Sequence, residues 1–126
     1  MKIFLSLGLL LVLCSSCYDN ERNCEQFHKG TFEFKTIVGN EMLESTFVRS
    51  GNYEIETFEG RIDSASIRWI NPCSCVITKL NPTSNQDKRP LAIKILSTNN
   101  NKSTFEYGLV GDIKNKQRGT VTKIND

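Results

Sequence analysis

Histidine, tryptophan and proline are scarce in this chain of 126 residues, which has one His, one Trp and three Pro. The single histidine, His28, lies near the N-terminus, and no nucleophile motif surrounds any Ser or Cys. General acid–base and nucleophilic catalysis need such groups in convergent sets. We therefore expect a protein that is not an enzyme, with no catalytic residues and no cofactor.

An excess of basic charge is also missing. The sequence has 16 Lys and Arg against 14 Asp and Glu. Nucleic-acid binding usually shows as a clustered basic surface, so we expect no nucleic-acid partner. After residue 17 the chain also lacks internal repeats, long low-complexity tracts and any apolar run long enough to span a bilayer.

The first seventeen residues differ from the rest of the chain. Lys2 precedes an apolar run from Ile3 to Leu13, which is too short for a membrane-spanning helix of roughly 20 residues. A basic start, a short apolar core and small residues after it are typical of a secretory signal. The run ends in a Cys-Ser-Ser-Cys segment, residues 14–17. This ending resembles the signal of bacterial lipoproteins, in which a Cys after small residues is lipidated.

The resemblance implies a signal peptide over residues 1–16, lipidation of Cys17 and a lipidated tether over residues 17–28. Several acyl chains on one Cys hold a protein on a membrane, because each buried CH₂ contributes ~0.8 kcal/mol. We therefore expect an exported protein, lipid-anchored to the bacterial cell envelope at the periplasmic or surface face of the outer membrane. Cys14 is the rival acceptor, but the bulky Leu13 before it suits the signal peptidase poorly.

The mature chain has about 110 residues, enough for one domain with a modest core. From residue 29 onward, short runs of alternating apolar and polar residues are separated by turn residues, which is typical of an all-β domain. We assign residues 29–126 to a single β-barrel domain. Its predicted strands are Gly30–Ile37, Leu43–Arg49, Tyr53–Phe58, Ser64–Ile70, Cys73–Leu80, Leu91–Ser97, Ser103–Val110 and Gly119–Ile124.

Eight sequential antiparallel strands can close into an up-and-down barrel, and closure removes the exposed sheet edges. A two-sheet β-sandwich is the alternative that the sequence leaves open. The start of the first strand, Gly30-Thr31-Phe32, followed by a meander, resembles the calycin architecture of lipocalins and fatty-acid-binding proteins. The resemblance implies a small lipocalin-like barrel, and we expect it to be a monomer.

The strand alternation predicts bulky apolar side chains on the inner face, with Tyr53 and Ile55 inward on the third strand. An eight-stranded barrel is only just wide enough to be filled by side chains. The inward residues therefore form either a filled core or the wall of a small apolar pocket beside Trp69. The candidate ligand-pocket residues are Trp69, Tyr53, Phe47, Phe105 and Tyr107.

Two sets of charged residues are candidates for a site but are predicted on the protein surface. Glu54, Glu56 and Glu59 form a carboxylate cluster, which on alternating strand positions predicts an exposed face. Arg49 and Arg68 are likewise predicted on a solvated face. The alternative for either arginine is to bind a ligand carboxylate in the pocket.

Three cysteines remain in the mature domain, Cys24, Cys73 and Cys75. An oxidising compartment favours one disulfide and one free thiol. Cys73 and Cys75 are two positions apart on a predicted strand, a separation that a disulfide bridges only with strain. Cys24 therefore pairs with one of them. We predict Cys24–Cys73, because Cys73 follows the Asn71-Pro72 turn, where the chain is freest to meet an N-terminal segment.

With His28, these cysteines also make up a Cys₃His set, and such sets bind zinc when they come together. Thiolates outside the cytoplasm usually oxidise first. We therefore predict no metal site and keep a metal or redox module as an alternative.

Three short motifs follow one another along the mature chain: Cys24-x-x-Phe27-x-x-Gly30-x-Phe32, Glu54-Ile55-Glu56 and Arg68-Trp69-x₃-Cys73. Taken together, they resemble a group of small Flavobacteria-type lipoproteins of the Bacteroidetes. In that group a Cys near the start and one just past a Trp recur, which implies the Cys24–Cys73 pair, whereas an aromatic is expected at Cys75. Members often carry the name DNA topoisomerase IV, but a neutral chain of this size lacks a topoisomerase's large basic DNA cradle.

Three functional hypotheses follow. The first is a non-enzymatic envelope lipoprotein whose β domain binds a partner protein or a glycan through its outer face or loops. The second is a lipocalin-like carrier of a small apolar ligand. The third is a metal or redox module that uses Cys24, Cys73 and Cys75. In each, the N-terminal lipid makes the membrane a partner.

Overall fold

The computed structural model describes residues 22–126. The predicted signal peptide, Cys17 and the first part of the predicted tether lie outside this range. Across residues 22–126, no helix is long and apolar enough to cross a membrane. After one 3-10 turn (Cys24–Phe27), the strands are β1 (Gly30–Val38), β2 (Glu41–Ser50), β3 (Tyr53–Phe58), β4 (Arg61–Asn71), β5 (Ser74–Lys79), β6 (Leu91–Asn99), β7 (Lys102–Leu109) and β8 (Gln117–Asn125).

The strands close into one antiparallel up-and-down barrel. Each strand pairs with the next along the chain, and β8 pairs with β1 to complete the circle. Closure leaves no strand edge among β1–β8 unpaired, which is how such sheets avoid edge-to-edge association. The predicted eight-stranded all-β barrel is therefore confirmed over the sandwich alternative.

The β3–β4 turn is shorter than the sequence predicts. It consists of Glu59 and Gly60, which both have positive φ, at 48° and 77°. Two consecutive residues of this kind match the twist of a tight β-hairpin. Asp63, which precedes the predicted fourth strand, instead lies within β4, where its Cα pairs with that of Glu56 on β3.

One end of the barrel, here the closed end, is sealed by the 3-10 turn. Cys24 and Phe27 are at most 2% exposed, and Phe27 stacks on Phe32 of β1 at 5.9 Å between ring centroids. Cys24 forms the predicted disulfide with Cys73, between β4 and β5. Because Phe27 is a core residue, the folded domain includes the 3-10 turn and extends N-terminally of the predicted boundary, residue 29.

The opposite end, here the loop end, carries the β1–β2 and β3–β4 turns and the two longest loops, residues 80–90 and 110–116. The rings of Phe32 and Phe47 stack at 5.2 Å just above Phe27. Burial of each such side chain contributes about 1.5–3 kcal/mol. The packed core is thus concentrated at the closed end.

The inner face of β3 is the opposite of the predicted one. Tyr53 and Ile55 are 58% and 48% exposed on the outside of the barrel, whereas Glu54 and Glu56 face the interior. The β2–β3 register pairs Arg49 with Glu54, and directly paired residues of an antiparallel ladder share a face. Since the side chain of Arg49 is buried inside the barrel, that of Glu54 must be inside as well.

Ser103 on β7 is almost completely buried, and its hydroxyl has no hydrogen-bond partner within residues 22–126. A buried, unsatisfied polar group costs about 1–3 kcal/mol. Ser103→Ala is therefore expected to raise the free energy of unfolding by about 1 kcal/mol, seen as a higher urea midpoint at unchanged slope. The neighbouring Thr104→Ala is the control and should give no gain. A less stable Ser103→Ala protein would contradict the prediction.

Candidate ligand site in the barrel interior

A cavity of about 240 Å³ lies inside the barrel, between the packed closed end and the loop end. A second cavity of about 220 Å³ adjoins it toward the loop end, and the two share Phe34 and Glu56. With roughly 30 Å³ for each water molecule, the larger cavity holds a ligand on the order of ten non-hydrogen atoms. Asp63 and Lys79, both exposed, lie at its edge.

One side of the cavity is an aromatic wall formed by Phe34, Phe105 and Tyr107. The Phe105 ring lies 5.5 Å from each of the other two rings, and Phe34 meets Tyr107 edge-on at 6.4 Å. The Tyr107 hydroxyl donates a hydrogen bond of 2.9 Å to Gln117 Oε1, which fixes the ring. A Cβ at Gly119 would lie 2.5 Å from the Phe34 ring, so the wall rests directly on the β8 backbone.

A buried ion pair forms the floor of the cavity. Arg49 Nε lies 3.1 Å from Glu54 Oε1, and the two side chains are 7% and 12% exposed. Arg49 Nη1 also donates a 2.9 Å hydrogen bond to the carbonyl oxygen of Phe27. Arg49 is therefore an interior residue and not on the predicted solvated face, whereas Arg68 is exposed as predicted. The guanidinium also lies 4.9 Å from the ring of Phe47, 5.5 Å from that of Phe32 and 5.7 Å from that of Trp69.

The side of the cavity formed by β3 and β4 carries the carboxylates of Glu56 and Asp63. Burial is the main reason that the pKa of Glu56 is raised, and the charges of Glu54 and Asp63 raise it further, with Lys79 opposing. No hydrogen bond or ion pair from any residue in the range 22–126 reaches the Glu56 carboxylate. Lys79 Nζ instead lies 3.4 Å from Asp87 Oδ1.

The structure brings together three of the five predicted pocket residues. Phe47, Phe105 and Tyr107 line the cavity. Trp69 is at the closed end, stacked on His28 with ring centroids 3.6 Å apart, and Tyr53 is on the outer surface. Neither lines this cavity. Both line a separate, more open pocket together with Asn52 and Arg68, so the five predicted residues do not form one site.

The charged part of this cavity is not predicted from the sequence, because the alternation pattern places Glu54, Glu56 and Arg49 on solvated faces. The signal that would have placed them inside is the length of the β2–β3 turn. Gly51 and Asn52 form a two-residue turn, and across such a turn the strand residues pair in fixed order. With Phe47 inward, its partner Glu56 must then be inward too.

The Cys₃His set does not come together. Cys24 and Cys73 are joined in the disulfide, and the third cysteine, Cys75, is a buried free thiol on β5. Burial is the largest of the effects that raise the pKa of Cys75 to about 11, which keeps this thiol protonated and unreactive. In the described part of the chain, no group of three His, Cys, Asp or Glu side chains is placed to hold a metal ion.

The outer face of β2 and β3 carries an exposed apolar patch. Val48 and Ile55 are paired across the two strands and are 43% and 48% exposed. Tyr53 lies beside them on β3 and is also exposed. Apolar surface of this kind is a feature of protein interaction sites when it is contiguous.

No protein-family model, no curated protein and no solved structure matches this chain. The resemblances to small Flavobacteria-type lipoproteins and to calycins therefore stay predictions from sequence. Function is inferred from the interior cavity and from the chemistry of the side chains that line it.

Proposed function

We propose that this protein binds a small organic ligand inside its β-barrel and is held at the cell envelope by lipid on Cys17. The cavity of about 240 Å³ carries the proposal, because side chains alone can fill the interior of an eight-stranded barrel. Here buried side chains fill the closed end and pack along β4 and β5, but they leave this space open. Concave sites with mostly apolar walls and a few placed polar groups are typical of small-molecule binding.

The apolar part of the lining supplies the affinity. Beside the aromatic wall, Ile77, Leu91 and Ile93 line the cavity from β5 and β6. Each CH₂ that a ligand buries there contributes about 0.8 kcal/mol. A ligand with a short alkyl chain or an aromatic ring fits this lining and this volume.

We propose binding without chemical turnover. The interior carboxylate of Glu54 is held by Arg49, and the only histidine of the chain, His28, is at the closed end against Trp69. A general base must come within hydrogen-bond reach of the proton that it removes. The described cavity linings include the hydroxyls of Ser64 and Ser45, but no hydrogen bond joins either of them to Glu56, so the described residues do not form a nucleophile–base pair.

The proposed lipid anchor is supported by the sequence of residues 1–17. The proposed location in the cell envelope is supported by the same residues and by the disulfide. Structural disulfides persist in oxidising compartments such as the bacterial periplasm, and Cys24–Cys73 joins the 3-10 turn to the barrel. The folded domain begins shortly after Cys17. The proposed anchor thus leaves a short tether between lipid and barrel.

A second candidate function is the docking of an envelope protein or a glycan on the outer face of β2 and β3. The exposed patch of Val48, Tyr53 and Ile55 favours it. The double substitution Tyr53→Ala and Ile55→Ser changes this patch without touching the cavity. Loss of a crosslinked partner in cells, with unchanged ligand binding, would assign the patch to docking.

The cavity proposal is tested with the chain carrying Cys17→Ser, exported to an oxidising compartment by an ordinary cleavable secretory signal in place of residues 1–16. This removes both the lipid and the apolar run, so no detergent is needed. Titration with 1-hexanol is expected to shift the amide NMR signals of cavity-lining residues in a saturable way. Ala65→Phe should abolish these shifts, because Ala65 lines the cavity and the added ring fills it. Ile77→Phe is a second blocking variant should Ala65→Phe not fold.

Ser66→Phe is the matched control, since Ser66 is next to Ala65 on β4 and faces outward. It should leave the 1-hexanol response unchanged. Saturable shifts that survive both blocking variants would place the binding outside the barrel. An absence of saturable shifts in the parent protein would overturn the proposed function.

A further inference from the structure

We propose that the ligand of this cavity is a small amphiphilic amine, whose positive charge lies between the Glu56 carboxylate and the aromatic wall. This inference rests on the proposed function, because it concerns the same cavity. It adds the chemical class of the ligand, an organic cation with a short apolar body. Three observations lead to it: the charges of the lining, the half-buried Glu56 carboxylate without a described partner, and the aromatic faces.

The charges that line the cavity do not balance. Arg49 and Glu54 neutralise each other in the floor, and Lys79 is turned toward Asp87 on the loop that follows β5. This leaves Glu56 and Asp63, whose Cα atoms are paired across β3 and β4. Within residues 22–126, neither carboxylate has a cation within salt-bridge distance. The described lining therefore has an excess of negative charge at this point.

Glu56 is half-buried on the inner face of β3. A carboxylate that is removed from water is costly unless a cation or hydrogen-bond donor is placed against it. The pKa of Glu56 is raised first by burial and then by Glu54 and Asp63, which has the same physical cause. A cationic group of a ligand removes this cost, and its binding energy includes that relief.

The aromatic wall faces the same space. The ring faces of Phe and Tyr attract cations through their quadrupoles, most strongly where water is excluded. Phe34 belongs to the wall and lines both adjoining cavities together with Glu56. An ammonium group at this point meets a carboxylate on one side and aromatic carbon on the other.

The same geometry disfavours anionic ligands such as fatty acids. The guanidinium of Arg49, the natural partner of a ligand carboxylate, is already engaged by Glu54 and by the carbonyl oxygen of Phe27. A carboxylate in the cavity would lie near Glu56 and Asp63 without a free arginine to balance it. Repulsion of this kind gives specificity against the wrong ligand.

The test compares three probes with the same six-carbon chain and different head charge: hexylammonium, 1-hexanol and hexanoate. Binding to the exported Cys17→Ser chain is measured by NMR titration at pH 7.5. Hexylammonium is expected to bind at least tenfold more tightly than hexanoate. Glu56→Gln should weaken hexylammonium binding at least fivefold and leave 1-hexanol binding within twofold of its original value.

Glu59→Gln is the matched control, because Glu59 is in the β3–β4 turn, is exposed and undergoes the same change of charge. It should leave all three affinities unchanged. Glu56→Gln is expected to fold with an equal or higher urea midpoint at pH 7.5. The reason is that the raised pKa makes the ionised carboxylate less favourable in the folded chain than in the unfolded one. Asp63→Asn is a second variant at the exposed edge, with a smaller loss of hexylammonium affinity expected.

The outcomes separate this inference from the proposed function. Equal affinities for the three probes, or tighter binding of hexanoate, would overturn the amine class while binding in the cavity stands. The same holds if Glu56→Gln leaves the hexylammonium affinity unchanged. Failure of all three probes to bind would overturn both.

Discussion

Arg49→Ala is expected to lower the free energy of unfolding by about 3–5 kcal/mol, because it leaves the Glu54 carboxylate buried without its partner. The same substitution removes the donor to the Phe27 carbonyl oxygen and the cation that lies over Phe32, Phe47 and Trp69. Each cation–π contact adds on the order of 0.5–1 kcal/mol. Urea denaturation of the exported protein at pH 7 measures the loss.

The double variant Arg49→Met and Glu54→Leu is the control for this prediction. It removes both charges and keeps apolar volume, and such replacements of buried ion pairs are often neutral or stabilising. It should therefore recover most of the stability lost in Arg49→Ala. A cost below about 1 kcal/mol for Arg49→Ala, the value typical of exposed pairs, would show that the pair is not buried in solution.

Removal of the disulfide by Cys24→Ser with Cys73→Ser is expected to cost about 4 kcal/mol on the chain-entropy model. The two cysteines are 49 residues apart, so the bond closes a long loop in the unfolded chain. A domain of this size has only about 5–15 kcal/mol of total stability, and the variant should unfold at a much lower temperature. Thermal unfolding followed by circular dichroism measures the shift.

A reducing agent provides the matched comparison. It should lower the unfolding temperature of the parent protein to that of the double Ser variant and leave the variant itself unchanged. Cys75 contributes to neither shift, because it is a free thiol. If reduction leaves the parent protein as stable as before, the disulfide does not stabilise the domain.

The strands and turns of the fold can be predicted from the sequence because each is determined by residues close together in the chain. Gly39, Gly51 and Gly60 all adopt positive φ in the turns between the first four strands, and such glycines are strong turn signals. Alternating apolar residues between them set the strands, to within a few residues of the observed bounds. The Cys24–Cys73 pair is predicted because a Cys73–Cys75 bond would be strained and because Cys73 follows the Asn71-Pro72 turn.

The residue types of β3 alone do not predict which of its faces points into the barrel. Placing Tyr53 and Ile55 inside and Glu54 and Glu56 outside follows the usual cost of burying charge. The register across a two-residue turn overrides that preference, because a shift of one residue would turn every side chain of β3 to the other face. Arg49 pairs with Glu54 and so offsets part of the free-energy cost of burying the Glu54 carboxylate.

The candidate site was only half predictable for the same reason. Phe47, Phe105 and Tyr107 were placed correctly because aromatic residues follow the apolar alternation of β2 and β7. Glu56 departs from that alternation and has no partner within the described chain. Departures of this kind between local preference and the folded arrangement are expected at functional positions.

The chain enters the barrel at the closed end, so an N-terminal anchor would determine which end of the barrel faces the membrane. A lipid at Cys17 would be at most about 25 Å of extended chain from Cys24, at ~3.5 Å per residue. The end sealed by Phe27 would then rest toward the bilayer, and the mouth beside Asp63 and Lys79 would point into the aqueous space. With the proposed anchor, a barrel oriented in this way would exchange its proposed ligand with the envelope fluid rather than with its own membrane.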